Sequence, residues 1–289
     1  MVVKKAVILA GGFGTRFLPA TIGISKEMFP IVDMPILFYH LKECVQSGIT
    51  ECLIISTKDK KEIERFINAP KRLINWLKQS GRIDLLNEYY SVINNLKIKI
   101  IYQKNANGSG GATMLAKRWV NNHAFVLFNG DDMFDCEIPI AKQLIDVFNV
   151  SNRCVCAVQQ VPQELINRYG CADVLTSKNG KFLEVLNVVE KPKIEDAPSN
   201  FAIVGRHLFT SDIFNELAQI SAHNNELYLT DAINNLVHKN CVAACPIKGM
   251  YCDCGNKLEF AKTNVRFMLK NKKFGTDFAE FIKETAQDL

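Results

Sequence analysis

No stretch of the 289 residues is apolar for the roughly eighteen positions that a bilayer crossing needs, which excludes a membrane-spanning helix. Residues 1–10 are too few and too strand-like for a signal peptide, so a cytoplasmic protein with no membrane partner is expected. A large excess of one charge is missing too. The formal net charge is +5, and acids and bases are interleaved, as over residues 58–65. Nucleic acid is therefore not the expected partner. The densest basic cluster, Lys270, Lys272 and Lys273, reads as a solvated helix end. The ten cysteines contain no paired C-x-x-C set, since Cys252 and Cys254 are one residue apart and Cys241 and Cys245 three, so a structural zinc site is not expected. Cys44, Cys52, Cys154, Cys156 and Cys171 lie in apolar surroundings, the pattern of buried free thiols. No linker, internal repeat or low-complexity tract divides the chain. One domain over residues 1–289 is expected, with an apolar fraction of 48% to supply its core.

What is present begins with "VILAGGFGTRFLP", residues 7–19. The apolar run before the glycines reads as a buried parallel strand. A glycine-rich turn after such a strand usually meets a phosphate. Two common phosphate loops do not fit. The dinucleotide fingerprint needs a third glycine where this chain has Phe17, and the string G-x-x-x-x-G-K-[ST] occurs nowhere. A tight turn without a ligand would account for one glycine. It would not account for Gly11, Gly12 and Gly14 together with Thr15 and Arg16.

Along the first half, strands are expected at 6–10, 51–57, 97–103 and 124–128, with helices at 36–46, 60–67, 113–120 and, broken near Gly81, 71–94. That alternation predicts a parallel, doubly wound sheet. Ligands of such sheets sit beyond the carboxyl ends of the strands. Gly11, Gly12, Gln103, Gly108, Gly110 and Asp131 all follow a predicted strand, so they should converge on one crevice. The second half continues the mixture, with strands at 153–161, 181–190, 202–209 and 241–248 and helices at 230–239, 256–270 and 277–286.

Four groups of residues carry chemistry. Arg16 and Lys26 share one loop rich in glycine and proline, and their charges suit the β- and γ-phosphates of a nucleoside triphosphate. Asp131 and Asp132 follow a buried strand, where carboxylates repel unless a cation or hydrogen bonds compensate. A Mg²⁺ shared between carboxylates and phosphate oxygens would do so, and an Asx-type turn is the alternative. Asp253 in "CDCGNK" would complete such a site. Glu190 and Lys191 in "VVEKP" end another strand, the first suited to sugar hydroxyls and the second to a further phosphate.

The strings "AGGFGTRFLPAT", "SKEMFPIVDMPI", "VVEKPKIEDAPSNFAIVGRHLF", "LYLTDAI" and "DCGNKLEF" run through almost the whole chain. In that order they resemble the bacterial UTP–glucose-1-phosphate uridylyltransferases of the sugar nucleotidyltransferase superfamily. The helical stretch 71–94 also resembles an insertion of that branch. The resemblance implies a Rossmann-like α/β/α sandwich with a mixed, mainly parallel central sheet. Its nucleotide half would span about residues 1–135 and its sugar-phosphate half about 136–289. Ala10, Gly11, Gly12, Gly14 and Thr15 would cradle the nucleotide, with Glu27, Gln103 and Gly108 near the uracil. Arg16, Lys26 and Lys191 would contact phosphates, Lys191 that of glucose 1-phosphate. Gly170, Glu190, Asn200 and Gly205 would lie around the glucose, and Asp131 and Asp253 would hold Mg²⁺. A homodimer or homotetramer is implied as well. The chain departs from the family pattern at Ile22, where lysine is common, and at Asn107 and Gly111, where lysine and histidine are usual. A thymidylyltransferase and a catalytically silent sugar-nucleotide-binding subunit are the alternatives. The second would be expected to lose the metal aspartates or the phosphate lysines, which this chain keeps.

Overall fold

The computed structural model describes residues 2–178, 180–222 and 225–287. Thirteen strands are found among them. In the first half these are β1 (Lys5–Leu9), β2 (Pro30–Ile31), β3 (Met34–Pro35), β4 (Glu51–Ser56), β5 (Lys97–Tyr102), β6 (Phe125–Asn129) and β7 (Asp132–Asp135). The rest are β8 (Cys154–Gln160), β9 (Gly170–Thr176), β10 (Leu183–Glu190), β11 (Phe201–Phe209), β12 (Val242–Pro246) and β13 (Met250–Asp253).

Nine strands form one sheet in the order β5-β4-β1-β6-β11-β8-β12-β10-β9. The pairs β5–β4, β4–β1, β1–β6 and β8–β12 are parallel, whereas β11 runs against both β6 and β8, and β10 against both β12 and β9. Only β10 and β11 are reversed, so the sheet is mixed and mainly parallel in strand direction. Its first four places belong to the N-terminal half of the chain and the other five to the C-terminal half. β2 and β3 form a short hairpin, and β7 pairs with β13 in a separate two-stranded ladder.

Both faces of the sheet are apolar because its strands read as continuous hydrophobic runs. Alternate residues go to opposite faces. Ala6 and Ile8 of β1, with Val126 and Phe128 of β6, pack on one side under the helices Ile36–Gln46 and Ile140–Ser151. Val7, Phe125 and Leu127 pack on the other under Gly108–Met114, Ile213–Leu217 and Leu229–His238. The result is the α/β/α sandwich that the resemblance implies. A third, smaller core beneath the first glycine loop joins Phe17, Phe29, Ile31 and Ile36 to Met133, Cys252 and Cys254. No helix among the described residues is long and apolar enough to cross a membrane.

The structure differs from the sequence expectation in several places. The second glycine-rich stretch is not all loop, since it folds as the helix Gly108–Met114, and the expected helix from 113 is two short ones. Glycine disfavours helix intrinsically, but here the close approach of another segment decides. The Gly110 amide donates to the Leu227 carbonyl at 2.9 Å, and a Cβ on Gly110 would stand 2.8 Å from that same oxygen. The helices Ile140–Ser151 and Ile213–Leu217 and the strands β2, β3, β7, β9 and β13 are additional elements. The stretch 71–94 is broken near Gly81 as expected, into helices Lys71–Gln79 and Asn87–Ile93 with a 3₁₀ turn between them.

Candidate active site

After β6 the chain turns at Gly130 into Asp131. A Cβ on Gly130 would collide with the Leu9 carbonyl, so only glycine lets the turn lie across β1. Asp131 Oδ2 then sits 2.6 Å from Lys26 Nζ and 3.6 Å from Arg16 Nη2. Burial opposes its charge, but Lys26 and Arg16 outweigh that and hold the carboxyl below the usual range. Lys26 is the mirror image. Burial would lower its ammonium, and the charges of Asp131 and Glu27 raise it instead.

Asp253 ends β13, opposite Asp132 in the β7–β13 ladder. Its Oδ1 accepts from the Gly255 amide at 3.0 Å. A Cβ on Gly255 would collide with Asp131 Oδ2 and stand 2.7 Å from Arg16 Nη2 and 3.1 Å from Asp253 Oδ1. Both carboxylates therefore face one small volume that glycine keeps open. Burial, with the charge of Asp131, raises the Asp253 carboxyl against the pull of Arg16. Two hard oxygen donors converging beside a basic loop suit a divalent cation. Asp132 has its oxygens engaged: Oδ1 accepts from Tyr251 Oη at 2.5 Å and Oδ2 from Asn129 Nδ2 at 2.9 Å. Burial and the neighbouring Asp131 push it up to about 7.

The first glycine loop is held from below. Lys60 Nζ donates to the Ala10 carbonyl at 2.7 Å and to Glu27 Oε2 at 2.8 Å. Glu27 is fully buried, its Oε1 has no partner, and burial raises its carboxyl despite Lys60 and Lys26. Gln103 Nε2 donates to the Gly11 carbonyl at 3.3 Å, and its amide stands 2.5 Å from where a Cβ on Gly11 would be. Lys26 Nζ lies over Gly12, 3.6 Å from the position of its missing Cβ. Gly14 adopts φ 67°, a left-handed conformation natural to glycine, and Thr15 follows as the start of a 3₁₀ turn.

Across a cavity of about 800 Å³ lie the other residues. Glu190 closes β10 and pairs in register with Gly170, the first residue of β9. Its Oε2 accepts from Thr230 Oγ1 at 2.6 Å, and its Oε1 is 3.6 Å from Lys191 Nζ. Lys191 has φ 42°, which turns its exposed side chain out of the strand. Gly205 lies against Asp132, which a Cβ there would strike.

Thr15, Arg16, Asp131, Asp253, Gly170, Glu190, Lys191 and Gly205 all line this cavity. Of the residues expected to share one crevice, Asp131 lines this cavity. Gly11 and Gln103 line a second one of about 330 Å³. Gly108 is among the lining residues of neither, and packs instead on the backbone of Leu227. Asn200 is likewise not among them. It precedes β11, where its carbonyl accepts from the Val161 amide at 3.0 Å. The departures Asn107 and Gly111 touch each other, since the Asn107 amide fills the space a side chain at 111 would need. Sequence reasoning missed Lys60, Thr230 and Tyr251. Lys60 had a signal, standing just past the strand β4, whereas the other two depend on how distant elements stack.

The sequence pattern of the nucleotidyl transferase family matches residues 5–268. A protein of Staphylococcus epidermidis named UTP–glucose-1-phosphate uridylyltransferase is 39% identical over 283 residues, 98% of each chain. One of the same name from Staphylococcus haemolyticus is also 39% identical over 98% of each chain. Among solved structures, a UTP-bound UGPase from Acinetobacter baumannii superposes with a TM-score of 0.90 at 32% identity, over 98% of this chain and 99% of that one. A UDP-glucose pyrophosphorylase complexed with UDP-glucose gives 0.86 at 28% identity, over 93% and 100%. With likeness of that extent in sequence and in fold, the chain belongs to the nucleotidyl transferase family, alongside its UTP–glucose-1-phosphate uridylyltransferases.

Proposed function

We propose that this chain makes UDP-glucose and pyrophosphate from UTP and glucose 1-phosphate. The observation that carries the reading is the 39% identity to named uridylyltransferases across 98% of both chains. The site chemistry supports it. A phosphate oxygen of glucose 1-phosphate attacks the α-phosphorus of UTP, forming a new P–O bond. The bond from the α-phosphorus to the bridging oxygen breaks, and pyrophosphate leaves with its electrons. The nucleophile is already an anion, so no general base is needed.

In this reading the glycine loop and Arg16 receive the triphosphate. Lys26 stands over the bare backbone of Gly12, where incoming phosphate oxygens compete with Asp131 for its ammonium. Lys60 fixes both Ala10 and Glu27, so the loop and the floor beneath the uracil move as one piece. Gly11, Gln103 and Glu27 surround the base. Glu190, steadied by Thr230, takes the glucose hydroxyls with Gly170 and Gly205 around them, and Lys191 meets the sugar phosphate. Asp131 and Asp253 would hold Mg²⁺, which lowers the repulsion between two anionic reactants. Residues 1–135 and 136–289 are then the nucleotide and sugar-phosphate halves of a cytoplasmic enzyme. Its assembly is a homodimer or homotetramer, which light scattering would tell from a monomer.

The test is pyrophosphate release with glucose 1-phosphate and each nucleoside triphosphate in turn, with and without Mg²⁺. UTP should be used well and dTTP poorly. Equal or better turnover of dTTP would overturn the choice of base, and no turnover with any nucleotide would favour a silent binding subunit.

A further inference from the structure

Behind the aspartate turn lies a buried polar group with no role in the chemistry above. Arg206, in the middle of β11, is fully buried. Its Nε and Nη2 donate to Glu43 at 3.0–3.3 Å, and its Nη1 donates to the Gly205 carbonyl at 3.0 Å. The guanidinium lies over Phe128, 4.2 Å from the ring centroid. Glu43 also accepts from the Ala141 amide at 2.9 Å, at the start of the helix Ile140–Ser151.

One further contact of Arg206 leads to the site. Its Nη2 is 2.9 Å from His40 Nδ1, and His40 Nε2 is 3.1 Å from the Gly130 carbonyl. A guanidinium only donates and a carbonyl only accepts. Both bonds exist together in one state alone, with the ring uncharged and its proton on Nε2. Burial, together with the charge of Arg206, disfavours the protonated ring and agrees with that state.

We propose that His40 and Arg206 are positioning residues for the aspartate turn. Through His40 the guanidinium fixes the carbonyl of Gly130, the residue before Asp131. Through its Nη1 it fixes Gly205, whose backbone lies against Asp132. One buried cation thus sets two walls of the cavity and the direction in which Asp131 points. The assignment presupposes that Asp131 serves the phosphates as proposed above.

Three measurements test it together. A long-range ¹H–¹⁵N spectrum of the histidine-labelled wild type reads the tautomer of His40. Mn²⁺ binding without nucleotide, followed by electron paramagnetic resonance, reads the carboxylates apart from turnover. Steady-state kinetics of His40→Val and His40→Gln separate kcat from KM for UTP. His40 should carry its proton on Nε2. His40→Val should lower kcat by about tenfold or more and weaken Mn²⁺ binding, with KM for UTP little changed, because a small misplacement of a reacting group is costly. His40→Gln, which keeps one donor and one acceptor, should recover most of both. A proton on Nδ1, a wild-type His40→Val, or a glutamine variant no better than valine would each overturn the proposal. If His40→Val does not fold, the tautomer and Mn²⁺ binding by His40→Gln decide, with an Nε2 proton and near wild-type binding as support. A wild type that binds Mn²⁺ and shows the expected tautomer, yet turns over no nucleotide, would sink the uridylyltransferase reading and leave the link to Gly130 standing.

Discussion

At the scale of single residues, the site depends on charges that burial works against. Lys26, with Arg16, favours the charged form of Asp131 against the effect of burial. Asp131→Asn keeps the shape and removes the charge, and should lower Mg²⁺-dependent turnover by about 10²–10⁴, or roughly 3–5.5 kcal/mol. Losing the Lys26 partner and relieving the repulsion from Asp132 and Asp253 oppose each other. The melting temperature should therefore move little compared with activity, and measuring both separates the two effects. His207 makes a second prediction. It stacks on Phe209, and burial, then the charge of Arg206, lowers its pKa to about 3. In the unfolded chain it titrates near 6.5, so between pH 6.5 and 3 the unfolded state binds more protons and stability falls as pH falls. Against wild type, His207→Phe should remove about 1.4 kcal/mol of that loss per pH unit below 6. Denaturant melts at pH 4.5, 5.5 and 6.5 would show it, and equal slopes for the two proteins would refute it. Asp131, Asp132, Glu190 and Lys191 were legible in the sequence because they follow apolar runs, and Arg16 and Lys26 because they share the glycine-rich loop. The partners of Asp132 were not, because Tyr251 reaches it only through the pairing of β7 with β13.

At the scale of elements, the same string does chemical and structural work at once. In "DCGNK", Asp253 faces the cavity and Gly255 keeps its space open. Asn256 instead caps the helix Lys257–Leu269, accepting from the amides of Leu258 at 2.9 Å and Glu259 at 3.3 Å. Asn256→Ala should lower stability by about 1 kcal/mol, as lost N-caps do, with little change in substrate affinity. Thermal melts and KM values check this, and an affinity loss without a stability loss would place Asn256 in the site. Elements with an unbroken period or a long apolar run were legible: Ile36–Gln46 forms over the predicted residues, and the strands at 51, 97, 153 and 202 begin within a residue of expectation. The short β7 and β13 were not, since each is defined by its partner rather than by its own pattern. The glycine-rich helix at 108 defied its composition because the backbone at Leu227 needed the room.

At the scale of the whole molecule, two cores meet on a sheet whose strand order follows the chain's halves, with a third core beneath the first glycine loop. That third core explains Phe17, which stands where a dinucleotide fold would place glycine. Its ring meets Phe29 edge-on at 5.0 Å and Phe260 at 5.7 Å, so it ties the loop to the helix Lys257–Leu269. The doubly wound character was legible from the alternation of strands and helices. The reversal of β11 was not, because a strand's direction leaves no mark on its composition. Its central place has a consequence for synthesis. β6 and β8 have their shared neighbour only in residues 201–209. A nascent chain that has emerged as far as residue 200 can pair β1, β4, β5 and β6, while the far edge of β6 stays bare and β8 has no partner in the sheet at all. An open apolar edge invites pairing with another chain. The two halves of the sheet become one cooperative body only when β11 slides between them, bringing Arg206 with it. The strand that joins the two halves is thus the one that carries the guanidinium behind the aspartate turn, and a chain made only as far as residue 200 has neither a joined sheet nor a fixed Asp131.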